Sequence, residues 1–259
     1  MHNPNIIEHA AACASLRCCT TPSLAAAALS FTPEAAADAL RAAVAPGYFR
    51  RLLLPGLGNT PVYQPTPKSI GLDATRAPKF LRAGQSLDTL WRGLLRGGVA
   101  FRGTPAGRWL TTGELTLLCV KTGIPTSGYA IPLVLQDNGG YTVFAPIPPS
   151  AERSAFNAVA SIVARWHPLF EQQNGRLLLV ARAGRQAECL RATLREFGVA
   201  PGDEVRELAQ IDAQISADPT GVSRIRLAGR RAELMTAQAD VSVEFPWLSR
   251  DVITVDPRG

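Results

Sequence analysis

The stretch TPSLAAAALSFTPEAAADALRAAVAPGYFRRLLLPGLGNTPVYQPTPKSIGL, residues 21–72, decides the fold. One start signal occurs in it twice. Thr21 before Pro22 and Thr32 before Pro33 each join a capping hydroxyl to a proline whose missing N–H would have no helical acceptor. This predicts a short helix over 22–29, a tight turn at Ser30 and Phe31, and a second helix from 33 to about 44. Ala36, Leu40 and Val44 recur every four residues on that helix, and Ala45-Pro46-Gly47 stops it. Tyr48 to Leu54 is apolar and strand-like, Pro55 to Pro61 carries turn residues, and Val62-Tyr63 resumes an extended run. Two helices about a short turn, then a two-stranded hairpin, is the order of a winged helix-turn-helix. Thr66-Pro67 permits a further helix start.

Upstream, residues 4–19 have helical composition, with Ile6, Ile7, Ala10, Cys13 and Leu16 spaced for one buried face. Downstream, a helix is expected over 86–96, then a strand-like GRWLTT before ELTLLCVK. Strands are expected at 130–136 and 141–147, joined by the turn Asp137-Asn138-Gly139-Gly140. An amphipathic helix over 150–170, a strand from Arg176 to Arg182 and a helix from Gln186 to Phe197 follow. The expected class is therefore α/β (α+β): a winged helix-turn-helix over 1–83, an α/β domain over 84–200, and an acidic C-terminal extension over 201–259 with strands near 222–227 and 251–255.

Composition is that of an ordinary globular chain, and no apolar run reaches the roughly 18 to 20 residues of a membrane span. The alanine-rich start lacks a basic region and reads poorly as a signal peptide, so a cytoplasmic location is expected. The five cysteines show no CxxC spacing, which predicts small buried side chains rather than a metal site; no cofactor is expected. GxSxG, Walker A and Rossmann fingerprints are absent, and His167, with no nucleophile or carboxylate motif beside it, reads as a packing residue.

Charge is informative once divided. Residues 50–110 hold ten basic and two acidic side chains, a net of +8, whereas residues 1–49 are at −1 and residues 201–259 at −3. So local an excess fits a phosphate-facing surface. Arg50, Arg51 and Lys68 flank the wing, and Arg76, Lys79 and Arg82 follow it. Arg41 is the single side chain of the second helix suited to a bidentate base contact, and Glu34 and Asp38 would repel phosphates. This predicts salt-sensitive binding of double-stranded DNA dominated by the backbone. Arg92, Arg96, Arg102 and Arg108 either extend the patch or form a solvated face.

The run TPEAAADALRAAVAPGYFRRLLL, the wing end PVYQPTPKSIGL and the later order from Ile131 to Phe197 resemble the plasmid replication-relaxation family of mobile elements. That family joins a winged helix to a nuclease-like domain. Its wing commonly ends in a tyrosine strand and a Thr-Pro-(Lys/Arg)-Gly turn; here Thr66-Pro67-Lys68 is followed by Ser69. The nuclease-like part resembles the PD-(D/E)XK fold, whose magnesium chemistry needs an acid on one strand and an acid-x-lysine on the next. Pro132 is followed by Leu133, and Val143 to Ile147 holds neither acid nor lysine. Glu114 and Asp137 are isolated. The resemblance thus implies a nuclease-like domain lacking catalytic acids.

The expectation is a non-enzymatic DNA-binding accessory or regulator of a mobile element, acting in plasmid replication, mobilisation (conjugation) or transcription control. Two alternatives remain: a subunit or inhibitor that docks a protein of a plasmid or phage complex through its winged helix, and a metal-dependent nuclease, disfavoured by the missing acids. A homodimer is compatible with either, and no membrane is involved. Phe245, Trp247 and Leu248 form an apolar cluster that docks back on the chain's own core or anchors a partner.

Overall fold

The computed structural model describes residues 4–73, 75–76, 78–102, 107–124, 132–137, 139–196, 211 and 247–258. After α1 (Pro4–Ser15) come α2 (Pro22–Leu29) and α3 (Pro33–Ala42). Local chemistry starts both: the Thr21 hydroxyl accepts from Leu24 N at 3.3 Å and the Thr32 hydroxyl from Ala35 N at 3.2 Å. Ser30, in the left-handed region at φ 55°, ends α2 and turns the chain into α3. β1 (Phe49–Leu53) and β2 (Pro61–Pro65) then pair antiparallel, with Arg51 opposite Tyr63. Thr20, between α1 and α2, lies along the other edge of β2 and exchanges backbone hydrogen bonds of 3.0 and 2.8 Å with Tyr63.

Strand alternation gives this hairpin two apolar faces. Phe49 and Tyr63 pack with Ile6, Ala10, Ala36 and Leu40 of the three helices. Leu52 and Val62 pack the other way, against Phe80, Leu81 and Trp91.

α4 (Leu87–Phe101) begins at Ser86, whose hydroxyl accepts from Thr89 N. Then come β3 (Arg108–Trp109), α5 (Thr112–Thr122), β4 (Leu133–Asp137), β5 (Gly140–Pro146), α6 (Ala155–Gln172), β6 (Gly175–Arg182), α7 (Arg185–Glu196) and β7 (Leu248–Val255). The five strands form one mixed sheet in chain order, antiparallel from β3 to β5 and parallel from β5 to β7. Val143, Leu177, Leu179 and Val252 face α6 and α7 on one side. Phe144, Val180 and Val255 face Leu95 of α4 on the other. The chain is thus a mixed α/β protein, and among the described residues no helix is long and apolar enough to cross a membrane.

Two elements link the segments into which the sequence divides. α4, just past the expected boundary at 83/84, serves both sides of it: Leu90, Trp91 and Leu94 complete the hairpin's core, whereas Leu95 completes the sheet's. β7, in the segment after 200 and overlapping the strand expected near 251–255, joins the sheet in parallel with β6. Its apolar side chains reach both layers. The strand expected at 222–227 lies outside the described residues.

α4 also runs past Arg96, where the sequence was expected to end it, and Gly97-Gly98 explains how. A Cβ at Gly97 would meet the Cys19 carbonyl oxygen at 2.2 Å, and one at Gly98 would meet Val255 Cγ1 at 2.2 Å. The glycines let α4 lie directly against both halves of the chain. Cys19 cannot retreat freely, since its N–H donates to Gly93 O at 2.9 Å and the next residue is paired with Tyr63. Gly97→Ala is therefore expected to cost about 2 kcal/mol by overpacking, even though alanine favours helix by about 1 kcal/mol. Urea denaturation of the variant checks this; a stability equal to or above the wild type would contradict the packing.

Candidate nucleic-acid interface

The seven basic residues singled out in the sequence fall into two groups. Arg41 is exposed on α3 and ion-paired with Asp38, and Glu34 shares the exposed surface of that helix. Arg51, exposed on β1, stands opposite the buried Tyr63. Burial raises the Tyr63 phenol, and Arg51 and then Arg41 pull it the other way, so both guanidiniums act on one hydroxyl. Lys68 belongs to the 3-10 turn Pro67–Ile70, which is fixed to the hairpin base by Ser69 Oγ donating to Tyr48 O at 2.6 Å. Its ammonium donates to Pro46 O at 2.8 Å and lies 5.3 Å from the Tyr48 ring centre.

The second group surrounds Gln64. This residue of β2 is 1% exposed. Its Oε1 accepts from Arg50 Nη1 at 3.2 Å, and its Nε2 donates to Phe80 O and, at 3.4 Å, to Arg82 O. Lys79 is exposed on the 3-10 turn Lys79–Leu81, which Phe80 and Leu81 anchor in the core. Gln85 Nε2 donates to Lys79 O and Arg82 O, and Arg82 Nη2 to Thr75 O at 3.1 Å. Asp73 accepts from Thr75 N and Arg76 N; the Thr75 hydroxyl and these amides hold its carboxyl below the usual range. Arg76 reaches Asp73 only at 3.9 Å, on the surface, where such a pair contributes little.

Of the other four arginines of the basic segment, Arg96, Arg102 and Arg108 are tied to other parts of the fold. Arg96 is buried, donating from Nε and Nη2 to Arg17 O at 3.1 and 2.7 Å; burial lowers its pKa to about 10. Arg102 donates to Asp256 O, and Arg108 pairs with Glu114 and Gln136. Burial lowers the Arg92 pKa, with Asp88 acting in the opposite sense. Residues 50–82 carry six basic side chains against Asp73, a net of +5.

The isolated acids have structural partners. Glu114 caps α5, accepting from Thr111 N at 2.8 Å; that bond, then Arg108 and the Thr111 hydroxyl, bring its carboxyl down to about 2. Asp137 is exposed at the end of β4 and accepts from Gly139 N. Among the described residues no group of three or more His, Cys, Asp or Glu side chains could hold a metal. The five cysteines are free thiols, four of them buried; burial pushes Cys18 up to about 12 and raises Cys13 and Cys19 as well. His167 packs beside Trp247 and lies 3.2 Å from Glu171 Oε1.

The sequence leaves the C-terminal apolar cluster either docking on the chain's own core or anchoring a partner. Trp247 stacks on Phe170 with ring centres 4.7 Å apart, and Leu248 is buried in β7, so both are spent on the chain's own core. Phe245 lies outside the described residues.

Two contacts escaped sequence reasoning. Gln64 carried one faint signal, an amide in an apolar strand. Arg182, at the end of β6, donates to Gly56 O at 2.8 Å and lies over the Trp91 ring at 5.5 Å, which ties the hairpin tip to the five-stranded sheet. Nothing near Arg182 in the sequence foreshadows this. No protein-family model, no curated protein and no solved structure matches the chain.

Proposed function

We propose that the chain is a non-enzymatic DNA-binding accessory or regulatory protein, gripping the phosphate backbone of duplex DNA through a winged helix-turn-helix. The observation that carries this reading is the net +5 of residues 50–82, borne on the hairpin and the loop after it. Arg51 and Lys79 are exposed there, with no carboxylate partner among the described residues. Three helices followed by a hairpin, with Thr20 as a third extended segment, support the winged-helix reading. The mixed sheet, with apolar β4 and β5, supports a degenerate nuclease-like second part as in the plasmid replication-relaxation family, and with it a cytoplasmic role on a mobile element. Glu34 and the Asp38–Arg41 pair weaken direct base reading by α3.

The test is fluorescence anisotropy on several labelled duplexes of unrelated sequence at low salt. We expect binding to all, with affinities within about tenfold of one another, well below the roughly 10³-fold or greater preference of sequence-specific proteins. No binding to any duplex would refute the reading.

A second reading has an observation in its favour: the acidic exposed surface of α3 suits a basic protein partner. Stable co-purification with such a partner, unchanged by reversing the hairpin cations, would support it.

A further inference from the structure

We infer that Gln64 is a positioning residue for the DNA-binding surface, organising Arg50, Lys79 and Arg82 into one phosphate grip; this rests on the reading proposed above. A buried amide in a strand core is costly unless its hydrogen-bonding atoms are matched. Gln64 is matched on both sides. Its oxygen holds the guanidinium of Arg50, on the strand before the hairpin turn. Its nitrogen holds the carbonyls of Phe80 and Arg82, on the loop beyond the hairpin. One side chain therefore fixes a cation of the hairpin relative to the backbone that carries Lys79 and Arg82.

The consequence is a difference of order. Without the amide, Arg50 loses the acceptor that it has among the described residues, and the turn Lys79–Leu81 loses a tether to the hairpin. The cations would remain and the net charge would be unchanged. Binding should still weaken, because ordering several flexible side chains then falls to the binding step.

The experiment is a double-variant cycle on duplex affinity with Gln64→Leu, Arg50→Ala and both together, read by anisotropy against salt. Each phosphate contact contributes about 0.9 to the slope of log K against log salt, near tenfold in affinity at about 0.1 M. We expect Gln64→Leu to weaken binding with the slope close to the wild type's, Arg50→Ala to lower the slope magnitude by about 0.9, and the double variant to lose less affinity than the two single losses multiplied together. A Gln64→Leu protein that binds as the wild type, or whose effect multiplies independently with that of Arg50→Ala, overturns the inference while leaving duplex binding intact. Wild-type protein that binds no duplex overturns the functional reading itself. Where Gln64→Leu does not fold, the side-chain amide resonances of Gln64 in ¹⁵N-labelled wild-type protein decide. They should shift on adding duplex; unchanged resonances in a bound complex overturn the inference.

Discussion

The triple variant Arg50→Glu, Arg51→Glu, Lys68→Glu should show no measurable duplex binding at about 0.1 M salt, where the wild type binds. Three reversals take the whole chain from +6 to 0 and residues 50–82 from +5 to −1. Losing three phosphate contacts at a slope near 0.9 each removes about three orders of magnitude, before the repulsion of three new carboxylates is added. Arg51 and Lys68 are exposed, so their reversal should leave the fold intact; Arg50→Glu removes the donor to Gln64 Oε1 and is the change that the folding controls must clear. Circular dichroism and the unfolding midpoint serve as controls. A folded triple variant that binds as the wild type would place the interface elsewhere.

The second large effect concerns acid stability and centres on His9. Its ring is 4% exposed, with Nε2 3.2 Å from Thr20 Oγ1 and 3.6 Å from Cys13 Sγ, and with the Phe101 ring centre at 4.7 Å. Burial alone lowers the imidazole from 6.5 to about 4. The folded state therefore resists protonation while the unfolded chain accepts it from about pH 6.5 downward. Stability is full above that value, falls between pH 6.5 and about 4, and is unaffected by this group below. At roughly 1.4 kcal/mol per pH unit, the loss is about 3 kcal/mol. Urea denaturation between pH 7.5 and 4 measures it, and His9→Gln should flatten that part of the profile. The same slope in the variant would assign the loss to other groups. Thr20 gives the effect a functional edge: it pairs with Tyr63 of the hairpin, so charging His9 loosens the segment that holds the hairpin to the helices.

What could be read from the sequence was what is decided locally. Thr21-Pro22 and Thr32-Pro33 start helices by bonds within one turn, so α2 and α3 lie where the spacing put them, with α3 ending at Ala42 rather than 44. The hairpin strands are likewise set by a short turn-rich loop. Gly97-Gly98 misled because a glycine pair inside a helix looks like a stop. Its reason lies in Cys19 and Val255, which are distant in the chain. The same holds for arginine. Arg51, Arg96 and Arg102 are alike in composition, yet Arg96 is buried on Arg17 O and Arg102 is tied to Asp256 O, leaving Arg51 on the surface. Charge counting located the basic segment, and only tertiary contacts divided it into structural and surface cations. For β7 the sequence showed a strand near 251–255 but not its place in the sheet, because its partner, β6, lies well upstream.

The most direct test of the backbone grip is the salt dependence of wild-type binding to a random duplex, measured by anisotropy from about 50 to 200 mM salt. Five or six engaged cations predict a linear plot of log K against log salt with a slope of about −5, and the same slope for unrelated sequences. A slope near zero, or no binding at the lowest salt, would contradict it.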